Sequence, residues 1–335
     1  MSEKSKSCGV CDFETEESYM GLGMCMGIAA GMFIQQVVFK GDTYIGMLYG
    51  MIFGQLIGSQ IHVKVQTNSD EILEYMKQED EDISEYMKNT RYIDSENEVI
   101  VAKAKEMWDS TLAGHKITGK CSLEMFLFLI VNIGVEHCND YNVRKIVKKQ
   151  WREEHQDEKC TVAQWEAAFK EYNRFYTQLA KNIFEFVRDE ITHSIDADEE
   201  CVTYRASDVL INKTGICHAK ANLLAALCRA NGIPAGICFQ YKKYGKEEPV
   251  KHCLHAYNAV YIDEEWIKID ARGNKEGVDA QFPEGEGETK LAFGIRDEYG
   301  EYYIPWIYKD ADESTMEMLA GSSSMDDVKK GLVIG

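Results

Sequence analysis

A chain of 335 residues with 45% hydrophobic and 11% aromatic side chains can bury a sizeable core and predicts two domains, or one domain with an appendage. Its formal net charge of −19 leaves no basic stripe to displace phosphate counterions, which disfavours a nucleic-acid partner. Eleven cysteines, odd in number and without framework spacing, point to free thiols in a reducing compartment rather than to a disulfide scaffold.

Residues 1–17 read as a polar N-terminal tail. Cys8 and Cys11, in SCGVC, have the spacing of a redox pair or half a zinc site. No second pair with matching spacing follows, and the tail is charged rather than preceded by a strand, so neither role is assigned.

Residues 18–62 read as a helical hairpin. Tyr19 to Phe39 carries no charged residue, nor does Thr43 to His62 with that histidine neutral; only Lys40-Gly41-Asp42 separates the runs. Each run is about 20 residues, the span of a hydrocarbon core. Gly23, Gly27 and Gly31 line one face of the first, and Gly46, Gly50, Gly54 and Gly58 one face of the second. In water each such glycine costs a helix about 1 kcal/mol relative to alanine, whereas in lipid small residues let helices approach closely. The pattern predicts a membrane anchor through residues 19–62, with a route to homo-oligomers along the glycine stripes. A buried soluble hairpin is the alternative that Gln35, Gln36 and Gln55 suit, and it leaves the chain cytoplasmic. For an anchor, Lys4, Lys6 and Lys64 place both flanks, and the remainder of the chain with them, on the cytoplasmic side of the cell membrane.

Residues 63–90 form an acidic linker: Asp70 to Glu85 has eight acids against one lysine, the composition of a solvated helix. A globular domain is expected over residues 91–335. Ser95 with Glu98 suggests a capping box opening a helix. Leu123 to Val135 is apolar but too short to cross a bilayer, so it predicts a buried helix. Val143 to Lys149 reads as a basic, solvated helix face, and Trp165 to Ile191 as a long amphipathic helix.

The next stretch, NKTGICHAKANLLAALCRANGIPAG, delivers a cysteine on a glycine-led turn. Leu223, Leu224, Leu227 and Cys228 give an apolar stripe on one side of a helix, which Gly232 and Pro234 end. Cys217 therefore falls at the helix N-terminus, where unpaired amides and the helix dipole favour a thiolate and can hold an oxyanion.

A thiolate catalyst needs a base held by an acceptor. Downstream, HCLHAYNAVYIDEEWIKIDARGN reads as a β-hairpin. Alternation puts His255, Tyr257, Ala259 and Tyr261 on one face of its first strand, and Trp266, Lys268 and Asp270 on one face of its second. A four-residue loop, Tyr261 to Glu264, would set Asp270 directly opposite His255. A two-residue loop, Asp263-Glu264, makes them diagonal neighbours roughly 7–8 Å apart at the backbone. An odd-length loop would separate their faces. His252 has the opposite parity to His255, and His218, next to the thiol, is not expected to turn its ring onto it within one helical turn.

These residues resemble the transglutaminase-like superfamily, a papain-related group with a Cys–His–Asp triad. GICHAKANLLAALCRANGIPAG is similar to that family's nucleophile helix, and HAYNAVYIDEEWIKIDARGN to its histidine strand, turn and aspartate strand. IFEFVRDEITHS and ASDVL are similar to what precedes the cysteine in bacterial members. The likeness covers about residues 180 to 310, with a weaker match near 91 to 107. It implies an α+β fold, a nucleophile helix packed on an antiparallel sheet, with Cys217 as nucleophile, His255 as general base and then acid, and Asp270 as orienting acceptor.

Two features depart from that family. Residues 110–172 read as a longer helical insertion, and the N-terminal hairpin, similar to glycine-zipper membrane hairpins, stands outside the domain. The implied activity is that of a thiol enzyme that forms a thioester on attacking an amide in a protein or peptide. Hydrolysis by a cysteine peptidase or amidase is favoured. Amine acyl transfer with protein cross-linking, arylamine-type acetyl transfer and a non-catalytic binding module are the alternatives. No metal or organic cofactor is expected, and no EF-hand-like loop is legible.

Overall fold

The computed structural model describes residues 81–118, 120–135, 141–155, 160–245, 249–283 and 289–334. The tail with Cys8 and Cys11, the hairpin expected over residues 18–62 and the linker up to residue 80 lie outside the described residues. Among the described residues, no helix is long and apolar enough to cross a membrane. Asp80–Gly335 forms one compact unit of helices and a curled antiparallel sheet. Residues 81–90 belong to it: Tyr86 meets Trp266 edge-to-face at 4.8 Å and donates from its hydroxyl to Ile307 O at 3.1 Å.

Four helices form the first layer: α1 (Glu98–Gly114), α2 (Leu123–Asn132), α3 (Tyr141–Glu154) and α4 (Val162–Glu190). Helix α1 starts on Asn97, whose side chain accepts from Val99 N at 3.1 Å, and not on a capping box at Ser95. Asp94 instead caps a later helix, α5 (Ala206–Asn212), accepting from Ser207 N at 3.0 Å. The basic face of α3 is only half solvated. Val143, Val147 and Trp151 are buried, while Arg144 lies 4.3 Å from the centre of the Phe169 ring. A Thr161–Gln164 capping box opens α4, and Trp165, Phe169, Tyr172, Tyr176, Leu179, Ile183 and Val187 give it a buried stripe at helical spacing. That stripe packs α4 on α1, α2 and α6.

Helix α6 (Cys217–Ala230) is the centre of the molecule. The apolar stripe expected on one side is buried, but so is the rest of the helix, from His218 through Arg229. Its alanines admit close neighbours, and its polar residues are buried with partners. Asn222 Nδ2 donates to Tyr204 O at 2.8 Å, and Asn258 Nδ2 donates to Ala221 O at 3.0 Å. Arg229 donates to Ala235 O from Nε at 3.1 Å and from Nη2 at 2.7 Å, to Lys309 O at 2.6 Å, and also to Lys88 O. Gly232, at φ +74°, turns the chain out of the helix.

Two short strands, β1 (Thr192–His193) and β2 (Thr214–Gly215), pair in parallel ahead of α6. Behind it lie β3 (Ala235–Tyr244), β4 (Lys251–Ile262), β5 (Glu265–Ile269) and β6 (Tyr302–Tyr303), ordered β5-β4-β3-β6 and antiparallel throughout. Helices α7 (Glu313–Gly321) and α8 (Met325–Gly331) close the chain. Asp263 and Glu264 form the β4–β5 loop, both at left-handed φ of 58° and 64°. Two left-handed residues give the turn whose twist suits a two-residue hairpin. Ile262 pairs with Glu265, and Asn258 with Ile269.

Candidate active site

That register decides between the loop lengths that the sequence left open. Continued by one step it sets Asp270 against Tyr257, so His255 and Asp270 are diagonal neighbours on one face. Their side chains close the gap, with His255 Nε2 and Asp270 Oδ2 2.7 Å apart and both residues buried. Asp270 also accepts from Ala292 N at 3.0 Å and from Arg272 N at 3.1 Å. Three donors thus fix the carboxylate, and the carboxylate fixes the ring, leaving Nδ1 for another partner.

Beside that ring stands Cys217, the first residue of α6, and the two groups shift each other's protonation equilibrium. Gly215 permits the tight turn before it. A side chain there would put its Cβ 3.1 Å from both Ala219 Cβ and Thr203 Oγ1. Cys217 is partly exposed, so a substrate can meet the sulfur, yet the surrounding protein still desolvates it. Burial pushes the thiol pKa up, but the charges of His218 and His255 and the neighbouring His193 and His218 rings outweigh it. The net result lies well below the ordinary thiol value. Burial likewise drives His255 toward its neutral form, and the Asp270 carboxylate and Cys217 thiolate overcome it, raising the imidazole to about 9. Cys228 and Cys238, by contrast, are pushed up by burial to about 12.

The three residues read from the sequence therefore come together, and two further histidines join them. His218, not expected to reach the thiol, places Nδ1 3.5 Å from Cys217 Sγ. The thiol sits at the very end of the helix, and the following ring rests near Phe239, 5.9 Å between ring centres, rather than along the helix side. His193, which sequence reasoning missed, also acts on the thiol from the parallel bridge that pairs it with Gly215. His252 turns away, stacking on Tyr241 at 4.6 Å and bonding Tyr299 O at 2.8 Å.

Around this centre, Phe293 meets the His255 ring edge-on at 5.0 Å, and Lys242 Nζ lies 3.5 Å over the Phe293 ring. Tyr257 and Trp266 line an open cleft with Phe293 and Tyr303, whereas Tyr261 packs against Trp266 at 5.3 Å. Beneath the site, Lys220 is buried and donates to Arg188 O at 3.4 Å and to Ile191 O at the end of α4. Burial lowers its pKa to about 7. Gly273, at φ +112°, keeps a side chain away from this ammonium, since its Cβ would lie 3.3 Å from Lys220 Nζ. Among the described residues, no group of three or more His, Cys, Asp or Glu side chains is arranged to hold a metal ion.

Comparison with known proteins matches residues 165–271 to the transglutaminase-like superfamily, a span from α4 to just past Asp270. No curated protein matches the chain. The crystal structure of a Cytophaga hutchinsonii protein, named provisionally as a cysteine protease, aligns at 21% identity and a TM-score of 0.24. That alignment covers 45% of this chain and 43% of the other, too slight a likeness to carry an argument. Residues 165–271 are a transglutaminase-like superfamily domain.

Proposed function

We infer that this domain is a cysteine hydrolase that cleaves an amide bond in a protein or peptide, with Cys217 as nucleophile, His255 as proton carrier and Asp270 as its anchor. Members of this superfamily are often cysteine peptidases or acyltransferases. The observation that carries the reading is the buried 2.7 Å contact between His255 and Asp270 beside a partly exposed thiol of depressed pKa. Groups whose surroundings drive their pKa values in opposite directions are the mark of an acid–base pair.

In this mechanism the resting pair is a Cys217 thiolate and a His255 imidazolium. The sulfur attacks the amide carbon, and the carbonyl electron pair moves onto oxygen, which the free amides at the start of α6 receive. His255 gives its proton to the amide nitrogen as the C–N bond breaks, releasing an amine and leaving a thioester. Neutral His255 then takes a proton from water as its oxygen adds to the thioester. The C–S bond breaks, the acid departs and the ion pair is restored. An amine in place of water would use the same residues and give acyl transfer. Water is favoured because no second amine-binding feature is legible.

The test is incubation with an acyl-amide probe, followed by mass spectrometry of the Cys217 peptide. The reading requires a thioester on Cys217 that decays to free acid and never forms in Cys217→Ala. Decay only when an amine is added would favour acyl transfer, and an unlabelled Cys217 with every probe would favour a binding module.

A further inference from the structure

Cys217 is met by an imidazole that the three-residue mechanism does not use. The parallel bridge between β1 and β2 pairs His193 with Gly215, and Ser194 N donates to Gly215 O at 3.2 Å. This fixes His193 beside the turn that delivers the nucleophile. Its ring is buried and acts electrostatically on Cys217, while among the described residues its Nδ1 has no hydrogen-bond partner and lies 3.8 Å from Asp196 Oδ1.

The site thus contains two His–Asp pairs around one sulfur, and they differ in how the carboxylate is used. Among the described residues Asp270 bonds no lysine or arginine side chain and is committed to His255 by the 2.7 Å contact. Asp196 is already taken: Arg272 grips it from Nη1 at 2.6 Å and Nη2 at 3.0 Å, and Lys275 Nζ adds a contact at 2.6 Å. With that carboxylate matched, burial first and then the Arg272 charge hold His193 below the ordinary imidazole value, whereas His255 is raised. Among the described residues, His218 on α6, Lys242 on β3 and Cys253 on β4 also interact with the sulfur. Lys242 is turned onto Phe293, and burial raises Cys253 to about 12, so it stays a neutral thiol.

We propose that His193 is a second catalytic residue, whose ring donates a hydrogen bond to the Cys217 sulfur while His255 carries the proton. The proposal rests on Cys217 being the nucleophile. Its chemical sense lies in the cycle: His255 is cationic in one half-reaction and neutral in the other, so its hold on the sulfur varies. A second donor, separate from the group that carries the proton, steadies the thiolate in the resting state and receives it again as the thioester breaks.

The experiment is the pH dependence of Cys217 alkylation by iodoacetamide in the full-length protein, read by mass spectrometry, with melting temperature as a check on folding. Native Cys217 should alkylate with a midpoint well below that of an ordinary thiol. In His193→Ala that midpoint should rise by about one pH unit, the effect of losing one hydrogen bond to a charged group. His193→Gln, which keeps an N–H donor and most of the volume, should recover at least half of the shift. A His193→Ala midpoint that coincides with the native one overturns the proposal, as does a glutamine variant no better than alanine. Loss of the low midpoint as complete as in His255→Ala would make His193 the base and also overturns it. An ordinary midpoint in the native protein would overturn the nucleophile reading itself, a result distinguishable from all of these.

Discussion

His255 and Asp270 meet on the diagonal of the β4–β5 hairpin, with Nε2 and Oδ2 2.7 Å apart, and not across a rung. The diagonal leaves room for Ala292 N and Arg272 N to bind the same carboxylate. Asp270 is thereby held from the side of the sheet's loops while its other lone pairs aim the imidazole. Exchanging it for asparagine keeps the size but can present an N–H where the ring needs an acceptor. Asp270→Asn should lower turnover on an amide substrate by roughly 10⁴-fold, the loss seen in an analogous triad. KM should change little, and steady-state kinetics checks both.

The pH profile should carry the same signature. Hydrolysis needs the Cys217 thiolate and the protonated His255, so kcat/KM should rise at a pH well below the ordinary thiol value and fall through about 9. In Asp270→Asn the upper limb should move down toward the ordinary imidazole value. Stability follows the sign of the shift. The His255 pKa is raised from 6.5 to about 9, so its charge contributes stability fully present below about 6.5 and lost as the pH passes about 9. Urea midpoints across that range check it, with His255→Gln lacking the slope.

Arg229 is the prediction for the core. Its guanidinium satisfies the carbonyls of Lys88, Ala235 and Lys309 around the end of α6. Arg229→Met leaves those buried acceptors without this donor, at about 1–3 kcal/mol each. Equilibrium urea unfolding should show a loss of about 3 kcal/mol or more, and Arg229→Lys, with fewer donors in a different geometry, should recover only part of it.

Truncation tests the boundary and the expected membrane anchor together. Removing residues 1–62 should release a soluble domain that still alkylates rapidly at Cys217. Starting the chain at residue 80 should preserve that reactivity, because Asp80–Gly335 is the compact unit. Starting at residue 91 should not. It removes Tyr86, with its contacts to Trp266 and Ile307, and takes Lys88 O from Arg229. Sedimentation and melting temperature separate the three.

What the sequence made legible follows from how each signal is encoded. Cys217, His255 and Asp270 could be picked out because a helix start and a strand alternation each fix a side chain's direction. The hairpin register could not, since its turn is made by Asp263 and Glu264, without the Gly or Asn that ordinarily marks left-handed positions. Complete burial of α6 was hidden by Lys220, Asn222 and Arg229, which read as polar and are buried only because backbone carbonyls receive them. His193 gave no local signal. Two-residue strands carry no periodicity, and only the bridge from His193 to Gly215 brings it to the thiol. His218 reaches the thiol because the side-by-side picture of successive helix residues fails at a helix's first turn.

The most direct measurement is site-resolved alkylation of every cysteine in the full-length protein near neutral pH, with and without His255→Ala. The account predicts that Cys217 reacts far faster than Cys228, Cys238 and Cys253, whose thiols burial holds near 12, and that His255→Ala abolishes the difference. Cys217 reacting no faster than Cys228, or reacting equally fast without His255, would contradict it.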